Sequence, residues 1–567
     1  MKKIMKKLIL SLISASLWTM QGTAQQQLPK VVDKNGNLID MPTFGSPEVE
    51  NIAKKRCGTF MESLSNNKNG QTRAVNSSLN YVPHTGTINI PVILVQFNDQ
   101  KFSVNHPKEA FEQFFNGTTQ ADLGNGNQHN HGSVSQYFQA MSSKTYNPVF
   151  KLYGPVTLDK NETYYGGTSD NGNDEKPNEL INDAINKLQA SDEALKDAAV
   201  FCNGGTTVDC IYIIYAGLGQ NIGGANTTVW AKTGNASGNT LVGKNIRWYS
   251  MASELSGMKA SEDSVMIAGV GVSCHEFSHA LGLPDIYPSV GTSSGYAKNN
   301  QNMEYWDLMD GGEYTFNGGY CPTAYTAWEK EQLGWPVDIQ TLDESQSVTM
   351  PASTEQGGTA YKIVNPNNRH EYFMLECIQK KGWNKQQYAA GLMVYHVNEP
   401  SNGTIYMGTR PNDTEGYPGM AIVPADSLCA SADIEANKRS VEINGEKKSY
   451  YTEQLRGDLF PGTFSRIQTL NVTELSDDHY RPNWHWYKTG NSGYENTNKA
   501  LRNIAYDTST ETVAFNYVHD TTTGIKGIEH TEGTTKRIYT LDGRYVGQDF
   551  NALPHGIYII GGKKIVR

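Results

Sequence analysis

The segment His275-Glu276-Phe277-Ser278-His279-Ala280-Leu281-Gly282-Leu283-Pro284-Asp285 constrains this chain more than any other. It closes an apolar run, and the pattern predicts a helix over Asp263–Leu281 that Gly282 ends. On that helix His275 and His279 stand one turn apart and share a face. Two neutral imidazoles so placed reach a single Zn²⁺ at about 2.0–2.1 Å. Glu276, rotated by about 100°, borders the same face and is placed to take a proton from an attacking water. Gly282 permits a left-handed turn, which lets Asp285 swing back as a third ligand. A hard oxygen beside two imidazoles suits zinc. With 13 histidines in the chain, chance supplies the His-Glu-x-x-His pattern in roughly one or two of a hundred such chains. The following Gly and Asp lower that about a hundredfold.

The rest of the chain excludes several classes. At about 150 residues per domain, 567 residues call for three or four units. Lys and Arg number 48 against 58 Asp and Glu, a net charge of −10 with no basic block, so nucleic acid is not an expected partner. Lys2, Lys3, Lys6 and Lys7 precede an apolar stretch, Leu8–Leu17, and Gly22-Thr23-Ala24 offers small residues for cleavage. Residues 1–24 therefore read as a signal peptide. That stretch is too short for a membrane span of about 20 residues, and no later run reaches that length. An exported monomer that works outside the cell or on its outer surface is expected. The seven cysteines are an odd number, and Cys202 and Cys210, flanking a turn-rich stretch, are candidates for a local disulfide.

The texture changes along the chain. Residues 25–85 are polar and read as a pro-segment, with Arg73-Ala74 as a processing point. From 86 to 336, strands at Ile88–Phe97, Val149–Leu158 and Asp209–Ala216 alternate with helices at Val134–Met141 and Lys176–Ala199, the latter capped by Asn178. That alternation predicts an α/β catalytic domain. Between 340 and 518, short alternating runs (Val348–Pro351, Tyr361–Val364, Glu371–Cys377, Leu392–Val397) predict a β-sandwich. A linker near Gly524 leads to a small β module at 525–567, with strands around Arg537–Leu541 and Gly556–Ile560.

The histidine segment resembles the metzincin pattern, in the form that ends in Asp. More specifically, the chain resembles the M6 family, secreted bacterial metallopeptidases of the immune inhibitor A type. The similar stretches are Ile90–Asp99, Gly132–Tyr137, Val208–Gly217, the histidine segment, Tyr305–Gly312 and Leu333–Trp335, with a looser likeness at Glu371–Glu376 and Gly391–His396. The resemblance implies a zinc endopeptidase made as a zymogen and acting on proteins or peptides. It implies a Met-turn at Met309, a polarisable floor beneath the metal. Tyr314 is the nearest candidate for a tyrosine donor.

Several further expectations follow. Asp170 and Asp174 are candidate Ca²⁺ ligands, weighed against a solvated turn. His129 and His131 sit in a Gly/Asn-rich loop and read as surface histidines. Arg56-Cys57-Gly58 resembles the cysteine-switch core of matrix metalloproteinase pro-segments. Cys57, left over if the other six cysteines pair, is a candidate thiolate for the zymogen's zinc. Ile538–Arg544 and Gly556–Arg567 resemble the C-terminal sorting domains of the type IX secretion system, and the β-rich region is a candidate binder of cell-surface proteins or glycans. Two rivals remain. A thermolysin-like peptidase would take its third ligand from Glu304, and a non-catalytic surface adhesin would keep a protease-like fold without its chemistry.

Overall fold

The computed structural model of the chain describes Val31–Val32, Leu38–Ile39 and residues 81–118, 130–167, 174–222, 224–236, 238–261, 264–288, 302–316, 318–400, 409–414, 416–427, 440–443, 446–449, 455–462, 471–521, 538–541, 544–560 and 563–566. In chain order the strands of the first part are β1 (Val31–Val32), β2 (Leu38–Ile39), β3 (Gly86–Gln96), β4 (Tyr146–Thr157), β5 (Val208–Leu218), β6 (Lys232–Asn235), β7 (Thr240–Leu241), β8 (Lys244–Ser261) and β9 (Ser264–Ile267). Its helices are α1 (Pro107–Asn116), α2 (Val134–Met141), α3 (Glu162–Gly166), α4 (Pro177–Gln189), α5 (Val270–Leu281) and α6 (Ala327–Leu333).

The main sheet runs β4-β3-β5-β8-β6. Strands β4, β3, β5 and β8 are parallel, and β6 closes the edge antiparallel to β8. A near-continuous apolar strand such as β3 or β5 needs cover on both faces, and helices supply it. Ile90, Val92 and Leu94 of β3 share a core with residues of α1, α2 and α5, while Ile93 and Val95 pack with Leu180, Ile181 and Leu188 of α4.

Three local expectations fail here. The segment Asp263–Leu281 is not one helix. Ser264–Ile267 pairs antiparallel with β8, and helix α5 starts at Val270 after the extended Gly269. An apolar run of this length fits either state, and the open edge of β8 decides it. Helix α4 stops at Gln189 and starts at Pro177, with Lys176 and not Asn178 in the cap position. Proline fixes the first-turn φ and lacks the N–H that a cap would serve. Cys202 and Cys210 are both unpaired. They lie in different cores, on opposite faces of the sheet, so they cannot meet.

Beyond Pro336 two sheets dominate. One has five strands in the order Asp338–Thr341, Thr359–Asn365, Asn368–Ile378, Gly391–Asn398 and Met420–Ile422. The other has four, ordered Gln346–Met350, Thr512–Val518, Ala500–Asp507 and Leu475–Ser476. Strand alternation builds two interfaces. Phe373 and Leu375 face Val348, Leu501 and Phe515 of the second sheet, whereas Tyr372 and Met374 face the core that contains α5. The five-stranded sheet is thus shared between both halves. At the C-terminus, Ile538–Thr540, Tyr545–Gly547, Ile557–Ile560 and Lys563–Val566 form a separate four-stranded sheet. Among the described residues, none of that sheet joins the larger cores. No helix among the described residues is long and apolar enough to cross a membrane.

Candidate metal centre

Helix α5 is buried along its whole length. Its path depends on two glycines. At Gly271 a Cβ would lie 1.8 Å from the Glu313 carbonyl, so only glycine lets that backbone approach. At Gly282 φ is +111°, and its N–H returns to His279 O to close the helix. Tyr81 fills the space a Cβ there would need, 2.9 Å away. Val82 N donates to Ala280 O at 3.0 Å. The His84 ring lies 2.7 Å from Leu281 O and 3.1 Å from Leu333 O, so residues 81–84 cover the helix end.

After Gly282 the chain doubles back. His275 Nε2, His279 Nε2 and Asp285 Oδ1 come together: 3.1 Å between the two nitrogens, and 3.2 Å from each to the oxygen. All three side chains are buried. The other imidazole nitrogens are taken up. His275 Nδ1 donates to Leu308 O at 3.0 Å and His279 Nδ1 to Leu283 O at 2.8 Å. That arrangement leaves both Nε2 lone pairs turned toward Asp285. Three acceptors this close, with their lone pairs converging, fit a small tetrahedral ion, whose donor atoms about 2.0–2.1 Å from the metal stand roughly 3.3 Å apart.

Charge around the group agrees with that fit. Burial pulls the imidazoles down, yet the carboxylates outweigh it: His275 is held well above its usual value by Glu313 and Asp285, and His279 is raised by Asp285. Burial pushes Asp285 up, but His279 and His275 hold its carboxyl well below the ordinary range. Without a cation the group would gather protons, for which a metal competes.

Other side chains complete the site. Glu276 is buried, and burial raises its carboxyl against the pull of His275 and His279. Thr233 on β6 sets its hydroxyl 2.5 Å from Glu276 O and 3.1 Å from Glu276 Oε2. Ser250 on β8 donates to the same carbonyl at 3.2 Å. Met309 is buried, and its carbonyl accepts from Ile286 N at 2.8 Å, next to Asp285. Glu313 places Oε2 3.8 Å from His275 Nδ1, and burial pushes its carboxyl up to about 7. Tyr314 hydrogen-bonds with Glu313 and Asn221. The sequence singled out Tyr314. Thr233, Ser250, Asn221 and Glu313 carry no local signal, because their roles come from strands and turns that meet α5 only in the fold.

Remaining expectations divide. Glu304 is not in the histidine group; it is buried at φ 51°, with its N–H bonded to Asp310. Asp174 is engaged by Lys232 Nζ at 2.6 Å and by Trp230 N, so a calcium role finds no support there. Asp170, His129 and Cys57 lie outside the described residues. His131 is half-buried against Trp383 instead of lying on the surface. Cys202, Cys210, Cys274, Cys321 and Cys377 are all unpaired, so the count that singled out Cys57 as the odd cysteine no longer does so.

Side chains from beyond Pro336 reach the loops that build the site. Asn412, fully buried, donates to Ile286 O, the carbonyl after Asp285, and to Met420 O at 2.8 Å. Trp306 Nε1 donates to Asp458 at 2.8 Å, and Gln387 donates to Tyr305 O at 3.2 Å.

Residues 84–335 match the family model of the immune inhibitor A peptidase M6 catalytic domain. A pre-pro-metalloprotease, PrtV, of Vibrio cholerae serotype O1 is 28% identical over 222 residues, covering 35% of this chain and 23% of that protein. Immune inhibitor A of Bacillus thuringiensis subsp. alesti is 25% identical over 275 residues, 42% of this chain and 38% of that protein. The matches therefore span well under half the length of these relatives.

Proposed function

We propose that this chain, whose residues 84–335 match the M6 peptidase catalytic-domain model, is a zinc-dependent endopeptidase exported as a latent precursor. One observation carries the reading: His275, His279 and Asp285 bring three donor atoms within 3.1–3.2 Å of one another, with Glu276 on the same helix beside them. These three residues would hold the metal. When bound, zinc acts as a Lewis acid on the scissile carbonyl and makes water acidic enough to ionise near neutral pH. Glu276 takes the proton from the attacking water and passes it to the leaving amine. Thr233 and Ser250 fix the backbone and carboxylate of Glu276, so that it need not reorient between the two transfers. Strand β6 is antiparallel at the sheet edge, and none of the described strands pairs with its outer side. An extended peptide added there would run past Thr233 and Glu276.

The same reading assigns the other parts. Residues 1–24 direct export, and the stretch from 25 up to the catalytic domain is a latency segment, in which Cys57 offers the metal a thiolate. The region 340–518 supports the site and engages proteins or glycans at a cell surface, and 525–567 sorts the protein through type IX secretion. An adhesin without catalysis would have no use for Glu276 beside three intact ligand positions.

The test is Glu276→Ala in processed protein. Zinc should stay near one ion per chain while casein hydrolysis falls by about 10²–10⁴-fold. Cleavage at the parental rate by that variant would overturn the mechanism.

A further inference from the structure

Asp307 and Glu329 are acids with no solvent exposure. Asp307 lies in the turn that carries Leu308 and Met309, and Glu329 lies in the first turn of α6. Two of their four oxygens have ordinary donors. Asp307 Oδ1 accepts from Met309 N at 2.7 Å, and Glu329 Oε2 accepts from Thr326 N at 2.7 Å and from Thr326 Oγ1 at 3.1 Å. The other two, Asp307 Oδ2 and Glu329 Oε1, meet no N–H or O–H group among the described residues. Glu329 lies within hydrogen-bonding reach of Asp307, and burial followed by the charge of Asp307 pushes the Glu329 carboxyl up.

Two bare carboxylates in contact, both fully buried, would repel strongly. The third acid nearby does not relieve this. Glu376 spends its oxygens on Ala327 N at 2.8 Å, Tyr395 Oη at 2.7 Å and Thr354 Oγ1 at 2.8 Å. The buried cation nearby, Lys330, is drawn to Glu376 and Glu355 ahead of Glu329 and hydrogen-bonds to neither orphaned oxygen, so a hydrogen bond between the two acids requires a proton of their own.

We infer that Asp307 and Glu329 share one proton, and that this bond ties α6 to the Leu308–Met309 turn and so seats the Leu308 carbonyl on His275. The connection is short. Asp307 Oδ1 holds Met309 N, and Asp307 O accepts from Gly312 N at 2.9 Å, which curls the turn. Leu308 O then meets His275 Nδ1 at 3.0 Å. Both acids are positioning residues, since neither reaches the histidine group itself. The inference rests on the reading of His275 as a zinc ligand.

The experiment is a double-mutant cycle with Asp307→Asn and Glu329→Gln, read by melting temperature and by zinc affinity against a competing chelator. In either single variant the new amide N–H₂ replaces the shared proton and the old acceptor is kept. Each should hold its Tm within about 2 °C and its zinc dissociation constant within about threefold. The double variant sets two N–H₂ groups face to face. It should lose at least about 3 °C beyond the sum of the singles, or fail to fold while both singles fold. Additive effects, or a single that loses as much as the double, would overturn the shared proton. Positioning is read with Asp307→Ala, which should weaken zinc binding about ten- to a hundredfold, with Asp307→Asn restoring it. Parental zinc affinity in Asp307→Ala would overturn that role. Zinc in the parent protein is measured first: a parent that binds none would sink the proposed function, while the thermal cycle would still judge the acid pair.

Discussion

His131 is flanked by Asn130 and Gly132, a setting that suggests a solvated loop. In the fold its ring stands edge-on to Trp383 at 4.7 Å. Burial, helped by Lys385, lowers its pKa to about 4. The sign follows from that shift. The unfolded chain binds the proton first as pH falls, so stability is complete above about 6.5 and is lost as pH falls toward 4. His131→Phe keeps a ring against Trp383 and removes the proton. Its Tm at pH 7 should stay within about 2 °C of the parent, and its decline from pH 6.5 to 4.5 should be shallower. Calorimetry at four or five pH values would decide, and identical slopes would exclude His131 as an acid-labile group.

Among the elements, α5 depends most on its ends. Gly271 admits the Glu313 backbone near one end, and Gly282 turns the chain toward Asp285 at the other. Gly282→Ala imposes a positive φ on a residue with a side chain and drives its Cβ into Tyr81. A loss of about 1–3 kcal/mol in urea unfolding is expected. Zinc retention should fall with it, because Asp285 depends on the turn. An unchanged urea midpoint would mean that the turn relaxes freely, and that glycine is not what closes the site.

Over the whole molecule the cores are unequally connected. The core around α5 continues into Tyr372, Met374, Tyr395 and Ile422 of the five-stranded sheet. The half that holds α5 and the β-rich half therefore should not melt apart. The C-terminal sheet shares none of these cores among the described residues. Truncation after Gly524 should leave Tm within about 2 °C and casein cleavage at the parental level, while the truncated protein stays in the periplasm. Loss of protease activity on truncation would show that the C-terminal sheet supports folding. Normal delivery outside the cell would remove its sorting role.

The sequence by itself was enough to find the histidine pair, Glu276, the glycine stop and the returning Asp285, because helical spacing and one permissive residue are local properties. It also located the buried strands β3 and β5, whose apolar runs leave few alternatives. Tertiary structure decided the rest. Ser264–Ile267 became a strand because β8 offered it an edge, though its composition suits a helix equally. Nothing local in the sequence pairs Asp307 with Glu329; the fold buries both acids and brings them together. Asn412 reaches Ile286 across 126 residues of chain. Periodicity states which face of an element is apolar, but not which distant polar group will need a partner there. That depends on how several buried faces close together, and a buried donor or acceptor is costly enough to select its partner only once they have done so.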